Sequence, residues 1–258
     1  ARSRVPGWIG WAAARRAQRP FVTTAHGFYR SHLASRVMGW GRCVIVPSEA
    51  LGRYLMDHFQ VSKERLRIIP RGVDLGAFTF QPPPRVHQGP WRIGLFGRLS
   101  PIKGHEIALR ACARLRRQGH EVSLCLAGDT PNSPLRASLQ ALIRNLKLQE
   151  AVEWLGVRHD MPAVIASVDL VVVPSLYPES FGRSVIEAQA VGRPVIASRL
   201  GALEDLIQDG QTGGLVRAGD VQALAQALEQ FMGDAALRER CVQAAHRQAQ
   251  TRWDVNRM

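Results

Sequence analysis

One stretch in the second half of the chain combines strand and helix signals in an order that strongly restricts the fold. The apolar run Asp169–Val173 predicts a strand that is buried on both faces, as in a parallel sheet. Turn residues at 174–178 end it, and a helix opened by serine and glycine is predicted over residues 180–190. A second buried strand, Val195–Ala197, completes a strand–helix–strand unit. In such units the ligand crevice lies at the carboxyl end of the first strand, so we expect a binding site at residues 179–182.

Two carboxylates, Glu179 and Glu187, flank the start of this helix. Glu179 lies in the loop and Glu187 about one turn inside the helix, so at ~1.5 Å rise per residue they should stand on the order of 10 Å apart. Between them, the free backbone N–H groups and the positive dipole end of the helix suit a phosphate, and Gly182 allows its close approach. A ligand with hydroxyls at both ends and phosphates in the middle, such as a nucleotide sugar, fits this pattern. The alternative is that both glutamates are ordinary helix-start charges favoured by the dipole.

The same alternation continues through most of the chain and divides it into two parts. Short strands in residues 1–80 form a first, incomplete Rossmann-like unit, a proline-rich linker covers residues 81–90, and a second Rossmann-like domain covers residues 91–258. The predicted strands are Phe21–Thr23, Cys43–Val46, Leu66–Ile69, Arg92–Phe96, Val122–Ala127, Val152–Leu155, Asp169–Val173, Val195–Ala197 and Gly214–Val216. Helical spacing of the apolar residues between them indicates a doubly wound α/β fold with parallel sheets.

The chain carries a net charge of +13, mainly from arginine, which implies an anionic partner. The usual nucleic-acid-binding motifs are absent, so nucleic acid is not expected to be that partner. An anionic leaflet attracts basic surface at roughly 1 kcal/mol per nearby cation, and we expect a membrane surface instead. The longest early apolar stretch, Trp8–Ala14, is too short to span a bilayer. Together with four scattered cysteines, interpreted as reduced core thiols, this favours a cytoplasmic protein at the inner membrane face.

No metal site is expected, because the cysteines lack zinc spacing and the chain contains no Asp-x-Asp pair. A departing nucleoside diphosphate carries about two or more negative charges, which cations can stabilise. Arg98 and Lys103 follow the first strand of the second domain and offer a planar guanidinium and a compact ammonium for that purpose. The alternative is that they are two surface cations beside a turn.

The segment Glu179-Ser-Phe-Gly-Arg-Ser-Val-Ile-Glu187 resembles the E-x7-E signature of retaining family-4 glycosyltransferases, and the resemblance runs through most of the chain. These enzymes have the GT-B fold, in which two Rossmann-like domains face each other across a cleft. The resemblance implies that Glu179 contacts the donor sugar and Glu187 the nucleotide ribose. Donor binding is also expected from the turn between them, at Ser180, Phe181, Gly182, Arg183 and Ser184.

Three further segments resemble the same family. Gly97–Gly104 is similar to its diphosphate-binding element, which implies that role for Arg98 and Lys103. Thr24-Ala-His26-Gly27 resembles its T-x-H-G segment, which places His26 near the reacting sugar carbon; a structural or surface histidine is the alternative. The segment Arg71–Asp74 matches a loop that usually begins with Asn, so only its loop geometry is expected here.

Of two glycine turns at strand ends, Gly128-Asp129 is expected to line the donor cleft and Gly156-Val157 to contact the nucleobase. Compared with the family, the chain starts inside the acceptor-binding first domain and stops soon after Trp253. We therefore expect it to be a fragment.

Together with the residue patterns, the resemblance predicts a metal-independent glycosyltransferase of the hexosyltransferase type; retention, and His26 and Glu179 as catalytic residues, are what the resemblance implies. It would use no cofactor, because the nucleotide-diphosphate sugar is a substrate. The acceptor would be a hydroxyl of a saccharide or lipid-linked molecule, in the synthesis of cell-surface polysaccharide or lipopolysaccharide. Two alternatives stay open: a nucleotide-sugar epimerase of the same fold, and a basic module that binds a polyanion without catalysis. Product analysis would distinguish an epimerase from a transferase. A steep salt dependence of polyanion binding would indicate a binding module.

Overall fold

The computed structural model describes residues 1–83, 87–128 and 133–257, and it contains two parallel β-sheets with helices around them. Part of the predicted linker, residues 84–86, and Asp129 of the predicted cleft lie outside the described residues. None of the helices in the described ranges has both the length and the apolar character that crossing a bilayer requires.

The first sheet has three parallel strands in the order β1-β2-β3. Its elements are α1 (Arg4–Arg16), β1 (Val22–Thr24), α2 (Leu33–Arg36), β2 (Cys43–Val46), α3 (Glu49–Phe59) and β3 (Leu66–Ile68). Buried side chains of β2 and α3, including Val44, Leu51 and Leu55, form its core. Ala1 lies alongside β1, since its amino group donates to the Val22 carbonyl at 2.7 Å and its own carbonyl accepts from the Thr24 amide at 2.8 Å.

The second sheet has six parallel strands in the order β6-β5-β4-β7-β8-β9. Its elements are β4 (Trp91–Phe96), α4 (His105–Arg117), β5 (Val122–Ala127), α5 (Pro134–Asn145), β6 (Val152–Gly156), α6 (Met161–Ala166), β7 (Leu170–Val173), α7 (Arg183–Val191), β8 (Val195–Ser198), α8 (Ala202–Leu206), β9 (Gly214–Val216), α9 (Val221–Gly233) and α10 (Ala235–Gln248). The end of every strand in both sheets lies within one residue of its predicted position.

Helices cover both faces of the second sheet, which is why its central strand β7 is apolar at every position. In β7, Leu170 and Val172 join one buried cluster, whereas Val171 and Val173 join the cluster on the opposite face. Successive strand side chains point to opposite faces, so a strand with no polar position is stable only between two layers of helices.

The order of strands reverses between β4 and β7. The chain proceeds outward from β4 through β5 to β6, and then returns to add β7 on the other side of β4. A gap between the two following connections opens at such a switch point, on the carboxyl side of the strands. The loops after β4 and β7 therefore meet at one edge of the sheet.

One detail of the core prediction is wrong. Cys112, Cys125 and Cys241 are buried free thiols, but Cys43 is only half-buried. Cys43 lies on the opposite face of β2 from the buried Val44 and Val46, and that face is less covered.

Candidate functional site

A cavity of about 540 Å³ lies at the switch point of the second sheet. Loops at the carboxyl ends of β4, β5, β6 and β7 line it, together with the start of α7 and one residue that follows β3. The lining residues are Arg71, Phe96, Gly97, Arg98, Lys103, Ala127, Gly128, Val157, Arg158, Met161, Glu179, Ser180, Phe181, Gly182, Arg183, Ser184 and Glu187. All predicted donor-site residues, Glu179 included, are among them, and so are Gly128 and Val157 of the two glycine turns. Gly156 does not line the cavity, and Asp129 lies outside the described residues.

Close packing between the two loops of the switch point fixes the position of Lys103. Gly104, which follows it, has a φ of +67°, and a Cβ atom added there would lie 1.8 Å from the Pro174 carbonyl oxygen. The Leu176 amide donates to the Ile102 carbonyl at 2.8 Å, which joins the same two loops again. Only glycine tolerates this approach, so the loop after β4 carries Lys103 directly against the loop after β7.

The Lys103 ammonium group donates to Glu179 Oε1 at 2.8 Å, and the hydroxyl of Ser175 donates to the same oxygen. Side-chain exposure is only 22% for Lys103 and 11% for Glu179, so the pair is largely shielded from water. Both of these contacts use Oε1. The other carboxylate oxygen, Oε2, therefore keeps its capacity to accept hydrogen bonds from ligand hydroxyls.

The start of α7 faces the cavity with free backbone N–H groups. Gly182 precedes the helix with a φ of +94°, and its added Cβ would lie 2.8 Å from Leu203 Cδ2, so a side chain does not fit there. Ser184 lines the cavity one residue inside the helix. The first N–H groups of a helix have no partner within the helix and attract anions.

Glu187 lies one turn further along α7 and accepts a hydrogen bond from Arg183 at 2.7 Å. Burial raises the pKa of the Glu187 carboxyl, and the Arg183 guanidinium opposes that shift only in part. The ionised carboxylate is therefore destabilised by desolvation, and a ligand hydroxyl that donates a hydrogen bond to it would reduce this cost.

Phe181 lines the cavity although its side chain is buried in the core. Its side chain is 4% exposed and packs edge-to-face against Trp253, with the ring centroids 6.0 Å apart. The ring thus belongs to the core under the turn, and the backbone of Phe181 is the part offered to a ligand.

The cavity has a positive charge balance. Five cationic side chains, Arg71, Arg98, Lys103, Arg158 and Arg183, line it against the carboxylates Glu179 and Glu187. Arg98 is exposed and makes no hydrogen bond or ion pair with any residue that the structure describes. An anionic ligand would meet an uncompensated guanidinium there.

His26 lies next to the cavity but does not line it. Arg2 Nε stands 3.3 Å from its Nε2 atom, and Arg71 Nη2 stands 3.3 Å from its Nδ1 atom. Burial, Arg71 and Arg2, in that order, lower the pKa of His26, so the imidazole is neutral at neutral pH. Arg71 lines the cavity itself and connects His26 to it.

Arg71 is a site residue that the sequence interpretation treated only as part of a loop. It follows β3 as His26 follows β1, and carboxyl ends of parallel strands lie at one edge of a sheet. That rule, applied to the first sheet as well as to the second, would have identified it. Arg158 and Met161 were also missed; both lie just beyond β6.

No group of three or more His, Cys, Asp or Glu side chains with metal-binding geometry occurs among the residues described, which do not include Asp129. The positive charge identified at the cavity belongs to Arg and Lys side chains and to the start of a helix.

Solved structures share this fold. On a crystal structure of Anabaena Alr3699/HepE in complex with UDP-glucose, the chain superposes with a TM-score of 0.88 and 27% identity, covering 99% of this chain and 74% of that one. For the sucrose-phosphate synthase of Thermosynechococcus elongatus the TM-score is 0.84, with 27% identity and coverage of 99% and 69%. Fold and site together define the GT-B class of glycosyltransferase structures, which confirms the predicted fold class.

The chain belongs to the family of glycosyl transferases group 1, whose family model matches residues 79–248. Residues 1–77 match a second family model, that of Glycosyltransferase Family 4. Among curated relatives, the D-inositol 3-phosphate glycosyltransferase of Mycobacterium sp. strain JLS is 33% identical over 268 residues, which cover 93% of this chain and 60% of that protein. The chain thus spans about 60% of the length of the curated relatives it matches.

Proposed function

We propose that the protein transfers a sugar from a nucleotide-diphosphate sugar to a hydroxyl group of an acceptor. One observation carries this proposal: a single cavity is lined by Arg98, Lys103, the start of α7 and the carboxylates of Glu179 and Glu187. Cations suit the diphosphate, and carboxylates suit the hydroxyls on either side of it. The complexes of Anabaena HepE with UDP and with UDP-glucose support a donor of this chemical type.

Each side chain has a role in this proposal. Glu179 holds the hydroxyls of the donor sugar, and Glu187 holds those of the ribose. Arg98, Lys103 and the backbone of residues 182–184 stabilise the diphosphate as negative charge develops on it. His26 orients the sugar near the reacting carbon from the first sheet.

The same positive groups are the basis for proposing that the transfer needs no divalent metal. They compensate the leaving group's charge with fixed donors, which require no reorganisation during the reaction. Transfer should proceed undiminished in excess EDTA, and a requirement for added Mg²⁺ or Mn²⁺ would contradict this part of the proposal.

Retention of anomeric configuration is proposed from the E-x7-E resemblance. Proton NMR of the first product formed from an α-linked donor should show the small anomeric coupling of an α-glycoside. A β-linked product would rule retention out, while leaving donor binding as proposed.

For the acceptor, we propose a saccharide or lipid-linked hydroxyl at an anionic membrane surface. Residues 1–48 contain eight arginines and no Asp or Glu. Val5, Ile9 and Leu33 on the same part of the chain are 70%, 67% and 74% exposed. Exposed apolar side chains among cations are typical of surfaces that bind anionic lipid. Co-sedimentation with anionic vesicles at low salt tests this, and neutral vesicles are the control.

Donor binding is the test of the whole proposal. Thermal-shift titration should show stabilisation by a nucleotide sugar, with UDP-glucose tried first, and Lys103→Ala should weaken it by about tenfold or more, since a charge-assisted contact is lost. Lys63→Ala, an exposed lysine near β3, is the control and should bind like the wild type. Equal binding by Lys103→Ala and the wild type would refute the assigned site, and an isomerised donor in place of a glycoside product would identify an epimerase.

A further inference from the structure

Arg71 brings a positive charge to the cavity from a different part of the fold than the proposed diphosphate-binding residues. It follows β3 of the first sheet, whereas Arg98 and Lys103 follow β4 of the second, and all three line the cavity. The family pattern of the Arg71 loop usually begins with Asn, so this chain carries a full charge where an uncharged amide is usual.

The loop that carries Arg71 is held by the second unit, although it follows a strand of the first sheet. Val73 is 3% exposed and belongs to the buried cluster on one face of the second sheet. Backbone hydrogen bonds join Val73 to residues 253 and 255, and Trp253 packs against Phe181. The backbone at residue 73 is therefore fixed to the turn at 179–184, and Arg71 lies two residues before it.

The charge of Arg71 is not offset by the group it contacts. Three other cationic side chains that line the cavity are bound to carboxylates: Lys103 to Glu179, Arg183 to Glu187 and Arg158 to Asp160. Arg71 Nη2 instead lies 3.3 Å from His26 Nδ1. Because this imidazole is neutral at neutral pH, the contact leaves the positive charge of Arg71 for an anionic ligand.

The contact with His26 also indicates which part of the donor Arg71 can reach. In the proposed reaction, His26 lies near the carbon from which the sugar is transferred. The phosphate bonded to that carbon is the second phosphate of the nucleotide, which ends the chain of the nucleoside diphosphate after transfer. A guanidinium at hydrogen-bond distance from His26 is therefore closer to this phosphate than to the nucleoside.

We propose that Arg71 is a further catalytic residue, which binds the phosphate next to the transferred sugar and stabilises it as it departs. This inference rests on the proposed function. In that reaction, the bond between the anomeric carbon and the phosphate oxygen breaks, and its electron pair stays on the oxygen. The acceptor oxygen bonds to the carbon and releases its proton to solvent, so the products are a glycoside, a nucleoside diphosphate and a proton. The guanidinium of Arg71 stabilises the negative charge that the phosphate gains.

Binding of UDP and UMP to the whole chain tests this assignment, because UMP lacks the second phosphate. Calorimetry at constant ionic strength gives both dissociation constants. Arg71→Asn should weaken UDP binding by about tenfold, as expected for the loss of one charge-assisted hydrogen bond, and should leave UMP binding within about twofold of the wild type. Since Asn is usual in this loop, the variant should keep the loop conformation. Arg71→Lys should lose less UDP affinity, because it keeps the charge but not the planar guanidinium.

Arg67→Gln is the matched control, because Arg67 is exposed on β3 and is not one of the residues that line the cavity. It should bind both nucleotides like the wild type. The proposal is overturned if Arg71→Asn binds UDP normally, or if it loses as much affinity for UMP as for UDP. An equal loss of UDP affinity in Arg67→Gln would also overturn it, since general basicity would then explain the effect.

Hydrolysis of UDP-glucose, in which water takes the place of the acceptor, tests the role of Arg71 in bond cleavage. At saturating donor, Arg71→Asn should release UDP at least about tenfold more slowly than the wild type, because the charge on the phosphate increases as the bond breaks. An unchanged rate would limit Arg71 to binding and contradict the catalytic part of the proposal. The comparison of UDP with UMP decides the position of Arg71 even where hydrolysis is too slow to measure.

Failure of the proposed function would give a different result. If the cavity did not bind nucleotide sugars, Lys103→Ala would leave UDP affinity unchanged. If only the assignment of Arg71 were wrong, Lys103→Ala would still weaken UDP binding, whereas Arg71→Asn would not.

Discussion

At the scale of single residues, the candidate site holds opposite charges together until a ligand arrives. Lys103 and Glu179 form an ion pair at 2.8 Å, and Arg183 pairs with Glu187 at 2.7 Å. In the proposed complex, a diphosphate would compete for the cations, and ligand hydroxyls would replace the cations at the carboxylates. The ligand exchanges one set of charge-assisted bonds for another, so the cavity need not bury an unpaired charge in either state.

His105, the first residue of α4, provides a pH-dependent stability test close to this site. Burial, and after it the positive charge of Lys103, lower the pKa of His105 to about 4. The unfolded chain binds this proton near the ordinary histidine pKa, about 6.5, so the native state loses stability as pH falls from there toward 4. Its contribution should reach about 2 kcal/mol by pH 5.

Urea unfolding at pH 7 and pH 5 measures this effect. In His105→Gln, the difference in unfolding free energy between the two pH values should be smaller than in the wild type by about 2 kcal/mol. His58→Gln, at an exposed position on α3, serves as the control and should keep the wild-type difference. An unchanged difference in His105→Gln would show that His105 does not titrate in this way.

At the scale of secondary-structure elements, the features encoded by local sequence patterns could be predicted, whereas those that depend on long-range contacts could not. The strands were predictable because a strand covered on both faces is mostly or wholly apolar, as β7 is at every position. The turn at 179–184 was predictable because strand, glycine and helix signals occur together there. These signals are all local in the sequence.

Other parts of the site depend on residues that are distant in sequence. The Val73 amide donates to the Trp253 carbonyl at 2.7 Å, and the Val255 amide donates to the Val73 carbonyl at 3.1 Å. The segment at 253–255 thus supports the loop that carries Arg71, and Trp253 also packs under Phe181. No local pattern encodes such pairings, so the support that residues 253–255 give to the Arg71 loop could not be predicted from the sequence.

The contact between Trp253 and Phe181 should couple stability to ligand binding. Trp253 is 4% exposed, so Trp253→Ala should leave a cavity and lower the unfolding free energy by about 3–5 kcal/mol. Donor affinity should fall as well, because the turn at 181–184 and the Arg71 loop lose their common support. Urea unfolding and UDP-glucose titration measure the two effects.

Val255→Ala is the matched control for this variant, since Val255 lies on the same segment but is 46% exposed. It should change the unfolding free energy by less than about 1 kcal/mol, as is usual for exposed positions. If Trp253→Ala lost stability but bound the donor normally, Trp253 would support the core alone.

At the scale of the whole molecule, the start of α3 joins the two sheets. Ser48, which precedes α3, donates through its hydroxyl to the Ser180 carbonyl at 2.8 Å. Asp205 on α8 accepts from the Ala50 amide at 2.9 Å and from Arg53 at 3.3 Å. A carboxylate of one unit therefore stabilises the positive end of a helix in the other. This contact joins the first-sheet unit, which carries Arg71 and His26, to the unit that contains the second-sheet site.

Loss of the Asp205 carboxylate should loosen that junction without disturbing either sheet. In Asp205→Ala, the Ala50 amide should exchange its hydrogen on the order of tenfold faster, as expected for the loss of about 1 kcal/mol of helix capping. Asp205→Asn should give an intermediate rate, because its amide oxygen can still accept from Ala50 but no longer pairs with Arg53. Glu204→Ala, at the exposed neighbouring position of α8, should exchange like the wild type.

The same variant separates donor binding from transfer. The groups proposed to bind the donor lie almost entirely in the second sheet and its loops, so the UDP-glucose dissociation constant of Asp205→Ala should stay within about twofold of the wild type. Transfer also needs His26 and the acceptor side, whose placement depends on the junction, and its rate should fall by about tenfold or more because small misplacements of reacting groups are costly. Equal losses in donor binding and in transfer rate would mean that Asp205 supports the donor cavity itself, and an unchanged transfer rate would mean that the contact between α3 and α8 does not position the two halves for reaction.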